Sequence, residues 1–241
     1  MEKVPDNYIV VDTETNGPPN SEVRVIQLGW CVVTNRVLTS SGYTNLYSEG
    51  MTMTEKAQSI HGLSLDHLRE TGSDPSLIFS TFRDTLQVFV EDGGYALVGQ
   101  NLVGFDAGVL MAEFDRHHCK NFVFNAVPIV DVGVSYKAYQ LSNVRAYGES
   151  FWSYYRRIQS IRAKDVKWNI KYCMEMFNVE SDPKQLHNAE FDCICVQMLL
   201  EKMREHGIIE SVLWPGRDTD GRAATSARTG ASATFRPGGG I

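Results

Sequence analysis

The stretch YIVVDTETNG, residues 8 to 17, sets two acids into an otherwise apolar run. Aspartate is disfavoured in strands, and successive side chains of an extended chain alternate sides, so Asp12 and Glu14 point one way and Thr13 the other. Two carboxylates aimed at one place repel, and each raises the other's pKa unless positive charge lies between them. A core strand carrying this pair obliges the rest of the fold to supply that charge or to hold the acids together against repulsion.

The surrounding pattern is that of an α/β domain. Residues 8–12 read as a first strand and 24–33 as a second, joined by a turn holding Gly17, Pro18, Pro19 and Asn20. A third strand near 42–47 completes an antiparallel meander. Asp74 as N-cap, Pro75 at the first helical position, and Leu77, Ile78, Phe82, Leu86 and Phe89 at helical spacing predict a helix. Residues 95–101 and 127–132 read as two further strands, with a helix over 104–118 between them that carries Val109, Leu110 and Phe114 on one side. Helices follow over 168–179 and 191–207, the latter stopped by Gly207. The expected architecture is a mixed five-stranded sheet, three antiparallel strands plus parallel ones, with helices on both faces.

At 241 residues the chain suits one generous domain better than two small ones. That domain is assigned to 1–214. After Trp214 the sequence turns to Gly, Ala, Ser, Thr and Arg with almost nothing to bury, which predicts a flexible tail over 215–241. No signal peptide and no run of about 18 apolar residues is visible, so the reading is a cytoplasmic protein without a membrane partner. Five cysteines with no CxxC pair read as reduced thiols. The net charge of −6 argues against a protein that coats nucleic acid through bulk positive charge. Residues 137–171 run the other way, with eight basic residues against two acidic ones, a local +6 that leaves −12 on the remainder.

Two later segments put acids at the ends of apolar elements. In LVGQNLVGFDAGVL a strand runs out at Asn101, and Asp106 follows near the start of a helix, flanked by Phe105 and glycines. In HNAEFDCICVQMLL, His187 precedes a helix that opens with Asp192. Together with Asp12-Thr13-Glu14, the order and separations resemble the three motifs of the DEDDh branch of the proofreading-type 3′-to-5′ exonucleases. SIHGLSLDHL, residues 59–68, matches a further segment of that family, and the likeness covers about residues 8–205. Gln100 departs from the histidine that many members carry before the asparagine, and the Asn101-to-Asp106 spacing is wider than in many branches.

The resemblance implies a ribonuclease-H-like fold and a metal-dependent exonuclease that releases nucleoside 5′-monophosphates from a single-stranded or frayed 3′ end, with DNA preferred over RNA. It implies two Mg²⁺ or Mn²⁺ ions about 4 Å apart, hard cations that carboxylates favour. By the resemblance Asp12 bridges both ions, Glu14 and Asp192 hold the one carrying the attacking water, and Asp106 acts on the second, largely through water. His187 is then the general base, since an imidazole accepts a proton near neutral pH. Thr13, His61, Gly62, Asn101 and Phe105 fall where the family contacts the last nucleotides, and Asp131 matches an acid with a hydrogen-bonding role. His117, His118 and Cys119 have no partner motif and read as surface or core.

Tyr136, Tyr139, Tyr147, Trp152, Tyr154 and Tyr155 interleave with the basic residues of 137–171. The segment 133–167 therefore reads as an excursion from the core. It either guides a single strand by stacking and phosphate contacts or forms a helical hairpin with a solvated basic face. An exoribonuclease, a non-catalytic module that binds nucleic acid or a polymerase-like partner, and delivery of substrate through self-association stay open as alternatives.

Overall fold

The computed structural model describes residues 4–20, 22–119, 122, 124, 127–149, 151–180, 182 and 184–208. The tail expected over 215–241 lies outside the described residues. Five strands form one sheet: β1 (Tyr8–Thr15), β2 (Val25–Thr34), β3 (Val37–Asn45), β4 (Ala96–Gly99) and β5 (Ile129–Asp131), in the spatial order β3-β2-β1-β4-β5. β1, β2 and β3 are antiparallel, while β4 runs parallel to β1 and β5 parallel to β4, which is the mixed sheet the sequence predicts. β1 is longer than its apolar run because the acids stay in the ladder, Asp12 opposite Gly29 and Glu14 opposite Gln27.

The helices are α1 (Glu55–His61), α2 (Leu65–Thr71), α3 (Pro75–Leu86), α4 (Asp106–Arg116), α5 (Val132–Gln140), α6 (Phe151–Ser160), α7 (Ile170–Met176) and α8 (Ala189–Glu205). α3 starts as expected: Asp74 accepts a hydrogen bond from the Ser76 amide at 2.7 Å, with Pro75 at the first position. It widens into a π-helical stretch over Gln87–Asp92. α8 stops at Gly207, which takes φ +66° as the Ile208 amide returns to the Met203 carbonyl at 2.8 Å. α1 and α2 escape the periodicity argument because α1 buries no residue and α2 only Leu68; the hydroxyls of Thr54 and Ser64 cap them.

Two cores flank the sheet. Odd-numbered Ile9 and Val11 pack with α3 and α4, whereas even-numbered Tyr8 and Val10 pack with α5, α7 and α8. The segment 133–167 is not the excursion its composition implies. Val132 and Tyr136 join the core under α8, and Val134, Ala138, Tyr155 and Ile158 form a third cluster. The buried stripe is hard to see in sequence because it includes tyrosines and Lys137, whose stem is buried and whose charge is met by a carbonyl. All five cysteines are free thiols, four of them buried. Among the described residues no helix is long and apolar enough to cross a membrane.

α8 rests directly on the strand backbone at Gly29, where a Cβ would lie 2.2 Å from the Ala189 carbonyl carbon and 2.3 Å from its oxygen. Glycine inside a strand marks such close approaches. Gly29→Ala is expected to lower unfolding stability by about 1–3 kcal/mol through overpacking. Gly108→Ala, in α4 with open space around it, should instead stabilise by about 0.5–1 kcal/mol. Urea unfolding midpoints of the two variants check the opposite signs.

Candidate active site

The acids meet at the carboxyl-terminal rim of the parallel strands, the usual place for a site in an open α/β sheet. Asp12 and Glu14 share the even-numbered side of β1 and so face α8. That helix delivers Asp192 from its first turn. Asn188 caps it by accepting from the Phe191 amide at 3.1 Å, and the Ala189 amide donates to Gln27 Oε1 at 2.8 Å. Gln27, 2% exposed and opposite Glu14, is anchored in turn by donating to Asn45 Oδ1 at 2.8 Å. The His187 amide closes the turn on Asp192, 3.2 Å from Oδ2 and 3.4 Å from Oδ1.

Asp106 arrives from the opposite face. It is the first residue of α4, and Thr13, pointing away from its two acidic neighbours, clamps it: the Thr13 amide donates to Asp106 Oδ1 at 3.0 Å and the hydroxyl at 2.6 Å. The tripeptide Asp12-Thr13-Glu14 thus supplies two acids on one side and the holder of a third on the other.

Crowding shows in the protonation equilibria. Burial, then Asp106, Asp192 and Glu14, pushes Asp12 well above the carboxylate range. Burial and the charges of Asp192 and Asp106 raise Glu14 to about 8. Asp106 is pushed up to about 7 by burial in spite of the hydrogen bonds from Thr13, and Asp192 to about 6 by burial, offset by the His187 amide. Among the described residues no lysine or arginine forms an ion pair with any of the four. Glu14, His187 and Asp192 each offer a ligand atom within 4.8 Å of the others. Uncompensated, convergent oxygen donors with one imidazole fit a hard divalent cation.

His187 is exposed at the rim and takes φ +68°, a conformation that costs a non-glycine residue about 1–3 kcal/mol unless its surroundings impose it. His61 closes α1; its Nδ1 accepts from the Leu63 amide at 3.0 Å, which puts the ring proton on Nε2, and burial lowers its pKa. A cleft of about 380 Å³ opens beside the acids, lined by Thr13, Glu14, Pro18, Lys56, Ile60, His61 and Phe105 among others. Gly62 follows as the left-handed cap of α1, with φ +74°.

Asn101 has a task in the scaffold. It takes φ +59°, its amide donates to Asp131 Oδ1 at 3.0 Å, and its side-chain oxygen accepts from Gln159 Nε2 at 2.9 Å. Asp131 is fully buried, with a raised pKa set first by burial, and also accepts from the Val134 amide at 3.0 Å and the Tyr155 hydroxyl at 2.7 Å. This network holds the turn that leads into Asp106. Sequence reading missed Gln27 and Gln159, and it placed Tyr155 in the aromatic series without its bond to Asp131; a glutamine within an apolar strand, two residues before a glycine, is the one local sign of either glutamine. Of the aromatic series, Tyr136 and Tyr155 are core and Tyr154 donates to the Asn143 carbonyl, while Tyr139 and Tyr147 are exposed. His117 pairs with Glu113 and stacks on Phe79, the structural role expected of it.

A ribonuclease-H-like sheet with this quartet of acids and a histidine at its rim defines an exonuclease of the DEDD type. The chain belongs to the RNase T family, whose model, described as exonuclease, matches residues 9–197. Similar solved structures are of exonuclease I. The E. coli enzyme in a zinc-bound complex with single-stranded DNA is 14% identical with a TM-score of 0.64, covering 86% of this chain and 41% of that one. Its complex with a dA16 oligonucleotide gives 15% and 0.66, covering 85% and 42%. A product-bound exonuclease I gives 12% and 0.65, covering 87% and 45%. At these identities the likeness is one of fold, and the chain spans about two fifths of the length of those proteins. No curated protein is similar enough in sequence to count as a relative.

Carboxyls raised on folding stabilise the protein below their unfolded pKa and withdraw that stability as pH rises through the folded values. With Asp192 near 6, Asp106 near 7 and Glu14 near 8, the melting temperature in EDTA is expected to fall steadily between about pH 4 and 8. Mg²⁺ or Mn²⁺ should raise it, and by more at pH 8 than at pH 5. In Asp12→Asn/Asp192→Asn both trends should flatten. Thermal melts across pH, with and without metal, make the comparison.

Proposed function

We propose that the chain is a 3′-to-5′ exonuclease that removes nucleoside 5′-monophosphates from the end of a single-stranded or frayed DNA. The reading rests on one observation: four acids from β1, α4 and α8, all with raised carboxyls, converge beside an exposed histidine. Asp12, Glu14, Asp106 and Asp192 would hold two Mg²⁺ or Mn²⁺ ions, which when bound activate water and neutralise charge on the phosphate under attack.

The remaining work falls to the chain's own groups. His187 acts as the general base: its ring stands at the rim, where it can take a proton from water and pass it to solvent, and its backbone is tied to Asp192. The cleft beside Glu14 receives the terminal nucleotide, with Ile60 and Phe105 offering apolar surface to a base, and His61 and Thr13 facing it. Asn101 serves that end by shaping the turn before Phe105. The single-stranded DNA held by the structurally similar exonuclease I supports DNA as substrate. Discrimination from RNA depends on contacts to the 2′-hydroxyl.

A 5′-labelled oligonucleotide in Mg²⁺ is expected to shorten stepwise from its 3′ end. His187→Ala should slow this by about 10²- to 10⁴-fold, and Asp12→Ala at least as much. Matched DNA and RNA strands decide the sugar preference; faster decay of RNA would reassign the substrate. If wild-type protein leaves both intact in Mg²⁺ and in Mn²⁺, the proposed activity is wrong.

A further inference from the structure

Part of the positive charge between 137 and 171 is spent inside the protein. Lys137 is 4% exposed; its Nζ donates to the Gln159 carbonyl at 2.9 Å and lies 5.1 Å from the centre of the Trp168 ring. Arg157 is held by Glu149, with Nε and Nη2 each donating at 2.8 Å. What remains exposed is Arg145 before α6, Arg156 on the outer side of α6, Arg162, Lys164 and Lys167 in the loop after it, and Lys171 in α7. Asp165 is the one acid of the sequence between Arg156 and Lys171, in a chain whose net charge is −6.

The loop is fastened at both ends to the turn that leads into Asp106. At one end Gln159 Nε2 bonds to Asn101 Oδ1 at 2.9 Å and comes so near Gly104 that a Cβ there would lie 1.8 Å from it. At the other the Trp168 carbonyl accepts from the Gln100 side chain, and the Trp168 ring lies 2.8 Å from where a Cβ on Gly133 would be. Gln100 follows β4 directly, and Gly133 lies just beyond β5, so the loop sits at the same carboxyl-terminal rim as the acids. Phe105 lines the cleft, and Gly104, one residue earlier, touches Gln159. A strand that leaves the cleft over this turn therefore passes from an acidic site onto a cationic loop.

We infer that Arg156, Arg162, Lys164, Lys167 and Lys171 form a phosphate track for the upstream nucleotides of a single strand. The assignment of direction rests on the exonuclease reading; the attraction itself does not. Cations set on α6, along the loop after it and at the start of α7 suit the successive phosphates of one strand. Their binding releases counterions and is therefore salt-dependent.

The test is fluorescence anisotropy in EDTA, where no cleavage occurs, with a labelled oligothymidylate of about 15 nucleotides and a labelled trinucleotide. Arg156→Gln/Arg162→Gln/Lys164→Gln/Lys167→Gln is expected to bind the longer strand at least about tenfold more weakly, with its salt slope reduced by about 0.7 for each phosphate that is no longer neutralised. Arg36→Gln/Lys202→Gln, whose cations lie at the opposite end of the sheet, should bind as wild type does. Exchanging lysine for arginine and the reverse at the four positions should restore affinity. Undiminished binding by the quadruple variant overturns the track, as does an equal loss on the trinucleotide, which would place the cations at the catalytic end. Stronger, equally sensitive binding of blunt duplex would also overturn it. Salt-steep binding that the variant lacks, from a protein that cleaves nothing, would uphold the track and sink the nuclease.

Discussion

Four carboxylates held close together repel one another, and the surrounding scaffold exists largely to resist that force. Two of the acids are fixed by donors from other segments of the chain: Asp106 by the amide and hydroxyl of Thr13, and Asp192 by the amide of His187. A carboxylate that accepts backbone hydrogen bonds is stabilised in its charged form. Burial works against this and wins, leaving all four raised. The molecule is thus poised to gain from a divalent cation, since the energy held in the repulsion is returned when charge is neutralised.

The geometry follows from a strand having two sides. β1 lies mid-sheet with a helical layer on each face, so no single face can bring every acid together. The rim at its carboxyl end is where the two layers come within reach of the same point. α8 reaches it because Gly29 lets the helix lie on bare backbone and Gln27 ties down the first amide; α4 reaches it because Thr13 points its way. Asn101 and His187, beside two of the acids, both take left-handed backbone, which for His187 costs about 1–3 kcal/mol unless its surroundings impose it.

Behind Asp106 stands a second buried layer. Asp131, Tyr155 and Gln159 fix the Asn101 turn from the side of α5 and α6, so the segment that looks peripheral by composition supports the site from behind and carries exposed cations in front. The burial of Lys137 and the pairing of Arg157 with Glu149 divide its basic residues into structural and available ones. Composition alone cannot make this division, because it depends on which face of α5 and α6 meets the sheet.

Much of the fold was legible in sequence because its signals are local. Apolar runs bounded by turn residues mark four of the strands, Asp74-Pro75 starts α3, and Gly207 ends α8, each through backbone sterics acting within a few residues. β3, expected near 42–47, runs over Val37–Asn45 instead, because its residues are mostly polar and exposed and its bounds are set by pairing with β2. The candidate acids could be named for the same reason: a carboxylate at the end of an apolar element is visible without coordinates. α1 and α2 were not, since helices with almost no buried face have no periodicity to read. Residues 8–15 determine by themselves that two acids share a side, through strand alternation. That Asp106 and Asp192 join them from opposite faces, that Thr13 and Gln27 hold them there, and that Tyr155 belongs to the interior while Arg156 does not, was decided by tertiary packing. Partners such as Gln27 and Ala189, 162 residues apart in the chain, meet only once two cores have closed on either side of one sheet.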